Sequence, residues 1–553
     1  MSRLEENYIG LGDELIECLN CQETINNSDF YINYGICPYC DFHYSIDFNK
    51  RLEVIVDQNS FVEFNKNITV QKPTQLKINP KYKKNVKSSR ERTGLEEAAI
   101  TGTASIGGLK TVIILLDFGF LGGSMGIIVG EKISKAFTYA RKNSLPVFSI
   151  ISSGGRRVQE GAFSLIQMIK TINATNELSD KNLPHITLFT NPSGGQVYSS
   201  FASVADIKFA EPGAIMGMFT LNEINKSSKN TEKINISSEN FFSKGLIDKI
   251  VPRNKLRKEI STLFELIMSK DRIPKKIDLE LPDISFSSLG KNIKIDKGRP
   301  TGRDYIKSVF EDFVEIEKND EKNISILGFG KIGSQSTIII SQNFQRLNKS
   351  NSGKINNEDL KKIFRGIELS KKFELPIIFL VDNKGIDTTF ENEISGIANS
   401  LSKCIMNLSN HEQLLISIIT GETTTEGSLP YFISDRVLML ENSIFYTSTD
   451  KENLKNIQMN AKECLETGLI NKIIQEPPLG ASKGPEDMSR IIKINIINEL
   501  SSLNYISKRK LIRNRIRKFR EIDMSNKKLI ENVSNEMKIW RNVLKAGYRA
   551  LRN

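Results

Sequence analysis

Four of the chain's six cysteines, Cys18, Cys21, Cys37 and Cys40, stand as two C-x2-C pairs with fifteen residues between them. Two such pairs, each on a tight knuckle, can place four thiolates at the corners of a tetrahedron around one zinc ion. Two disulfides are the competing reading, which a reducing compartment disfavours. Four thiolates fill the coordination of the metal, so the spacing predicts a structural zinc ribbon rather than a catalytic centre. Losing it should loosen the ribbon and leave the larger domains folded. Cys404 and Cys464 read as core residues.

The second chemistry-bearing set is made of glycine. LDFGFLGGSMG at 116–126 carries Gly122 and Gly123, ISSGGRRVQEG at 151–161 carries Gly154 and Gly155, and FTNPSGGQVYSS at 189–200 carries Gly194 and Gly195. Each pair follows an apolar run and precedes a helical pattern. Glycine permits close backbone approach and positive φ, and the first N–H groups of a helix point at any nearby negative charge. Three such pairs at successive strand ends can build an oxyanion hole. The donors are expected at Gly194, Gly195 and the Gly122–Gly123 turn, with Gly154 and Gly155 as the neighbouring wall. Side-chain acid–base catalysis has little material, because the histidines are only His43, His185 and His411 and none belongs to a Ser/His/Asp set.

The elements that must position these loops occur twice. LPVFSIISSGG at 145–155 is echoed by LPIIFLVDNKG at 375–385, ADIKFAEPGAIMG at 205–217 by SDRVLMLENSIFYTS at 434–448, and SKGLIDKIVP at 243–252 by ETGLINKIIQ at 466–475. The offsets are all near 230 residues and keep their order, which indicates a duplicated domain. Within each copy, β-rich apolar runs alternate with helical stretches such as VQEGAFSLIQMIKTIN and NEDLKKIFRGIELSKKF, the pattern of βαβ units with buried parallel strands. The expected division is a ribbon over 1–50, a first domain over 51–272, a linker over 273–298, a second domain over 299–520 and a helical extension over 521–553 that includes Trp540.

The composition, 39% hydrophobic and 26% charged, is that of a globular protein, and no apolar run reaches the roughly 18 residues of a membrane span. The acidic start MSRLEENYIGLGDE has no apolar core and does not read as a signal peptide, so a cytoplasmic location is expected. The net charge of +12 comes largely from Lys scattered through an Asn- and Ile-rich sequence. That reads as a solvated surface, compatible with a polyphosphate ligand such as coenzyme A, with nucleic acid the weakest choice. KRKLIRNRIRKFRE at 508–521 predicts an amphipathic helix with a solvated basic face.

In order and spacing, SSRERTG (88–94), TGTASIGG, DFGFLGGSMGIIVGEKI, SSGGRRVQEG and FTNPSGGQV resemble the β subunit of the acetyl-CoA carboxylase carboxyltransferase, with the four-cysteine ribbon in front. The second copy, through RPTGRDYIKSVFEDFVEI, ELSKKFELPIIFLVD, SDRVLMLEN and AKECLETGLINKII, is similar to the α subunit. The resemblance implies an α/β fold of two crotonase-like ββα domains in tandem, β-like then α-like, preceded by the zinc ribbon. It implies carboxyl transfer between carboxybiotin, held by a biotin carboxyl carrier protein, and an acyl thioester of coenzyme A or an acyl carrier protein. Backbone donors would stabilise the enolate and ureido oxygens. It also implies a homodimer of fused chains.

The resemblance is imperfect at the loops. The family's second glycine after Asn-Pro is Gln196 here, and the family's G-E-G-G-S-G-G run has become Gly421, Glu422, Thr423, Thr424, Thr425, Glu426 and Gly427. Threonine is β-branched and disfavoured at positive φ, so a remodelled biotin-side hole is expected. Arg156, Gln196, Thr423 and Thr424 are expected to contact substrate. Two other readings stay open: a diverged, biotin-independent decarboxylase of a malonyl-type thioester, for which the first hole suffices, and a non-catalytic scaffold.

Overall fold

The computed structural model describes residues 16–25, 28–68, 79–218, 236–275, 277, 279–280, 298–316, 323–344, 352–448 and 458–521. They fall into two compact units, one within Met1–Ser269 and Val314–Asp320, the other within Lys270–Phe313 and Glu321–Asn553.

In the first unit the uninterrupted apolar runs form strands buried on both faces, as parallel strands between helices require. The sheet runs in the order Val62–Phe64, Ala99–Ile106, Leu109–Leu116, Val147–Ser153, His185–Gly194, Ile207–Ala210 and Lys249–Ile250, with Met216–Gly217 added beside His185–Gly194. Ala99–Ile106 and Leu109–Leu116 are an antiparallel hairpin, and pairing is parallel from Leu109–Leu116 onward. The Asp57 carboxylate accepts from the Gly107 and Gly108 N–H groups at 3.1 and 2.8 Å and closes the hairpin turn. Helices Ile127–Asn143, Ala162–Ser179 and Arg253–Met268 are the crossovers and flanking layer. All seven residues of Val147–Ser153 are buried, and each large apolar side chain so placed contributes about 1.5–3 kcal/mol.

Helix Ala162–Ser179 is inverted relative to an ordinary surface helix. Ser164, Gln167, Thr171 and Thr175 are buried, whereas Phe163, Leu165, Ile166 and Ile169 are exposed.

The second unit repeats the plan. Its seven-stranded sheet runs Lys472–Ile474, Arg436–Leu440, Leu415–Ile419, Ile377–Val381, Gln335–Gln342, Ser325–Ile332 and Glu311–Ile316, with Gln335–Gln342 and Ser325–Ile332 antiparallel and the pairs before them parallel. Helix Asn357–Phe373 begins in a capping box between Asn356 and Asp359. The second oxygen of Asp359 accepts from the Ile324 and Ser325 N–H groups at 3.0 and 2.7 Å, tying that helix to the sheet.

Two expectations change. Helix Lys508–Glu521 does not present all its basic residues to water: Arg515 is buried, ion-paired to Asp435 at 2.7 Å and donating to the Leu408, His411 and Gln413 carbonyls. A guanidinium has enough donors to satisfy several carbonyls at once, here at the end of helix Ile397–Ser409 and in the loop after it, which charge counting cannot show. The start of the expected linker is held against helix Pro485–Leu503, with Ile277 N–H donating to Ser501 Oγ at 2.9 Å and Leu279 N–H to Asn498 Oδ1 at 2.9 Å. Residues 281–297 of that linker, and Trp540 with the rest of the expected extension after Glu521, lie outside the described residues.

Candidate active site and metal centre

The ribbon is two matching knuckles. Gln22 N–H donates to Cys18 O and Asp41 N–H to Cys37 O, and Gln22 and Asp41 both take positive φ, 65° and 57°. These turns bring the Cys18 and Cys40 sulfurs to 3.7 Å and those of Cys21 and Cys37 to 3.7 Å, with all four within 4.8 Å of one another. A tetrahedron with Zn–S bonds of about 2.3 Å has edges of about 3.8 Å. The four thiols therefore fit one zinc ion, and a closed four-sulfur set leaves it no open position.

The ribbon is not free-standing. Arg253 is buried, donates to the carbonyls of Tyr34 at 2.6 Å and Tyr44 at 3.0 Å, and pairs with Glu211 at 2.8 Å; its backbone N–H donates to His43 Nε2 at 3.2 Å. Arg51 also meets Glu211 at 2.8 Å. Burial by itself would raise the Glu211 carboxyl, but the guanidinium groups of Arg253 and Arg51 outweigh it and hold the group well below the usual carboxylate range. Ribbon and domain thus share a buried charge network.

At the strand ends of the first unit, Met125 N–H donates to Gly155 O at 2.8 Å and Arg157 N–H to Met125 O at 2.9 Å, while Gly155 N–H donates to Ser153 Oγ at 3.1 Å. Strand His185–Gly194 ends and a helical turn begins at Gly195, with φ 59°. Gly155, with φ 115°, faces it: a Cβ on Gly195 would lie 2.9 Å from Gly155 Cα, and one on Gly155 would lie 3.4 Å from Gln196 N. The N–H groups of Gly195 and Gln196, first in their turn, have no acceptor inside it.

The expected donors sort accordingly. Gly194 is an extended strand residue, φ −126°, paired with Gly217, and leads into the turn. Gly123 N–H donates to Phe120 O and Gly154 N–H to Gly122 O, so these two amides are engaged within the turns themselves. A Cβ on Gly123 would fall 2.0 Å from Ser152 O. Gln196 turns its side chain away, donating from Nε2 to Leu165 O at 2.7 Å and Ser164 O at 3.1 Å, so it positions helix Ala162–Ser179. Arg156 is exposed and, among the described residues, makes no ion pair.

Its neighbour Arg157 was missed by the sequence reasoning. It is 2% exposed, forked onto Glu97 and 3.5 Å from Glu160. Burial disfavours its charge, but Glu97 more than compensates and raises its pKa above the ordinary arginine value. Glu160 accepts from Ile127 N–H at 2.6 Å and Tyr82 Oη at 2.7 Å, capping the helix that follows Gly126. The available signal was the run RRVQEG, whose alternation does not say which arginine points inward.

The second unit reproduces this framework at an offset of 230 (385 − 155). Ile355 N–H donates to Gly385 O at 2.8 Å, Asp387 N–H to Ile355 O at 2.8 Å, and Gly385 N–H to Asn383 Oδ1 at 3.0 Å. Gly385 has φ 90°. Where the first unit has Gly195, the second has Thr425, with φ 47°. Thr423 and Thr424 are the residues expected to contact substrate on this side. Both are buried, and Thr423 Oγ1 donates to Ser428 Oγ at 2.7 Å and accepts from Asn383 Nδ2 at 3.3 Å. Beneath them the Arg299 guanidinium pairs with Asp382 at 2.5 Å, and Glu422 N–H donates to Asp382 Oδ1 at 3.1 Å.

Two α/β units, each ending its strands in a glycine-lined turn with positive φ, define the architecture of acyl-thioester carboxyltransferases. The fold is similar to that of the transcarboxylase 12S hexamer core, solved with methylmalonyl-coenzyme A and methylmalonic acid bound, at TM-score 0.62 and 18% identity over 81% of this chain and 88% of that one. It is also similar to a single-chain, multi-domain long-chain acyl-CoA carboxylase at TM-score 0.61 and 14% identity, covering 81% of this chain and 46% of that one. Residues 48–232 match the carboxyl transferase domain family, and residues 287–523 the acetyl co-enzyme A carboxylase carboxyltransferase-like family.

The acetyl-coenzyme A carboxylase carboxyl transferase subunits beta/alpha of Clostridium tetani are 34% identical over 534 residues, 92% of each chain. Those of Natranaerobius thermophilus are 32% identical over 558 residues, 92% of this chain and 91% of theirs. The Clostridioides difficile beta subunit is 40% identical over 251 residues, 45% of this chain and 87% of its own. The chain belongs to the acetyl-CoA carboxylase carboxyltransferase family, with the beta and alpha subunits fused, and is an acyl-CoA carboxyltransferase enzyme. Among the described residues no helix is long and apolar enough to cross a membrane.

Proposed function

We propose that the chain moves a carboxyl group from carboxybiotin on a carrier protein to the methyl carbon of acetyl-CoA, giving malonyl-CoA. The observation that carries this reading is the duplicated framework around Gly155–Gly195 and Gly385–Thr425. The reaction has two oxygens that gain negative charge, on the thioester and on the ureido ring, and two preorganised backbone turns match that need. When the N–CO2 bond of carboxybiotin breaks, the ureido nitrogen takes a methyl proton of the acyl group. The resulting enolate carbon bonds the released CO2. In this reading the first unit serves the thioester, with the Gly195–Gln196 amides as donors, Gly155 beneath them, and Gly122, Gly123 and Gly154 fixing the wall. Arg156, exposed beside this turn, is assigned to the coenzyme A phosphates.

The Cys18, Cys21, Cys37 and Cys40 set holds structural zinc. The exposed apolar face of Phe163, Leu165, Ile166 and Ile169 supports a second copy of the chain as its cover, in a cytoplasmic homodimer. The test is malonyl-CoA-dependent carboxylation of free biotin by purified protein. Release of CO2 from malonyl-CoA at a rate indifferent to biotin would replace this function with the biotin-independent decarboxylase.

A further inference from the structure

From the second unit we infer that the Thr425 hydroxyl is a ligand-contacting hydrogen-bond donor, replacing part of what a glycine-lined turn does through backbone alone. This rests on the carboxyltransferase reading and concerns the side facing the biotin ureido group.

Thr425 holds a conformation that threonine avoids. Its φ of 47° lies in the left-handed region, and a β-branched residue there is an outlier. Such conformations persist only where the surroundings over-determine them. Here they do: Thr424 is the last residue of strand Glu422–Thr424, which pairs with Ile444–Tyr446, and the turn Thr425–Ser428 follows at once. Gly427 closes the turn on its far side, since a Cβ there would lie 2.9 Å from Gly385 Cα. The backbone path at Thr425 is therefore the one Gly195 takes in the first unit, and the side chain is added to it.

That side chain lies in the space glycine leaves open. A Cβ on Gly385 would meet Thr425 Oγ1 at 3.1 Å, whereas in the first unit the corresponding position on Gly155 meets the bare Cα of Gly195 at 3.1 Å. The hydroxyl thus stands over Gly385, at the mouth of the turn. Thr425 is only half-buried, and among the described residues its hydroxyl has no hydrogen-bond partner. The neighbouring Thr423 and Thr424 are buried, and the Thr423 hydroxyl is fully engaged. Of the three threonines, Thr425 is the one placed to donate to a ligand. A planar cyclic urea, whose carbonyl oxygen gains charge when its nitrogen loses a carboxyl group, is the matching acceptor.

The test compares three variants of the full-length protein, with free biotin and malonyl-CoA as substrates. Thr425→Val keeps the shape and removes the hydroxyl, so kcat/KM for biotin should fall about 10- to 100-fold, the range for a hydrogen bond to a charged group. KM for malonyl-CoA should stay put. Thr425→Ser should retain most of the wild-type value. Thr425→Gly relieves the strained φ and should raise the thermal midpoint while losing biotin efficiency. A Val variant equal to wild type, or a Gly variant better than wild type, would overturn the inference, the latter showing the side chain to be an obstruction. Biotin binding by calorimetry separates the two levels of the argument. A wild type that binds biotin more tightly than Thr425→Val without carboxylating it refutes the reaction and keeps the contact. Equal binding refutes the contact.

Discussion

Substitution of three positive-φ glycines of the first unit, Gly122, Gly123 and Gly195, should give a graded series that tests the oxyanion assignment. Gly122→Ala adds a Cβ whose nearest neighbour is Phe118 at 3.8 Å, so its cost is the left-handed conformation alone, about 1–2 kcal/mol. Gly195→Ala pays the same conformational cost and sets its methyl 2.9 Å from Gly155 Cα, a backbone atom that cannot rotate away. The turn must shift by several tenths of an ångström, and the Gln196 N–H moves with it. Losing the aim of one oxyanion donor costs about 100-fold in kcat or more. Gly195→Val should be worse, since its branches enter the ligand space. Gly123→Ala, with Ser152 O only 2.0 Å from the new atom, should not fold stably. Initial rates of malonyl-CoA-dependent biotin carboxylation, beside thermal unfolding of each variant, separate these outcomes. A folded Gly195→Val with an unchanged rate would place the hole elsewhere, and equal rate losses for Gly122→Ala and Gly195→Ala would reduce the effect to general strain.

Metal analysis after mild purification should find one zinc per chain; less than half an equivalent would refute the tetrathiolate site. Cys18→Ser should lose the metal and lower the thermal midpoint of the first unit as well as the ribbon, and an unchanged midpoint would show that the Arg253 anchor carries no coupling. Arg157→Met strands Glu97 in a buried site and should cost about 3–5 kcal/mol in chemical denaturation, with Glu97→Gln in the same background recovering part of it. Burial, with Arg515 and Lys371 nearby, pushes the His411 pKa down to about 3, and its Nε2 meets Ser370 Oγ at 2.8 Å. A histidine kept neutral by the fold contributes stability that is present above its unfolded pKa near 6.5 and is lost as pH falls toward 3. His411→Gln should therefore flatten the decline of unfolding free energy between pH 6.5 and 3, and an unaltered slope would show that His411 takes up its proton without unfolding.

The ribbon was legible because tetrahedral thiolate geometry constrains chain spacing directly, and the knuckles close as C-x2-C predicts. The duplication was legible because buried parallel strands demand the same apolar runs in both copies. At the site, legibility stopped at the level of single side-chain directions. Glycine at 155 and 195 could be read as a need for close approach, but whether Arg156 or Arg157 faces inward depends on the register at a strand end. The same one-residue ambiguity hid Thr425. Spacing placed the threonine run in the loop, while only the strand pairing of Glu422–Thr424 with Ile444–Tyr446 shows that Thr423 and Thr424 belong to the sheet and Thr425 to the turn. Glu211, lying in an ordinary AEPG turn, gave no sign that two arginines from distant segments converge on it.

That convergence changes what kind of part the ribbon is. Arg253 offers its donors to carbonyls of the ribbon and to a carboxylate of the sheet at once, so its charge is satisfied only while both are in place. A chain cut at residue 50 would keep Arg51, Glu211 and Arg253 but strip the last of its ribbon carbonyls, leaving a buried cation short of acceptors. Trimming or exchanging the ribbon should therefore destabilise the sheet behind it. It works as the keystone of the first unit, and a zinc ion held by its four thiols would steady the neighbouring sheet as well as the ribbon.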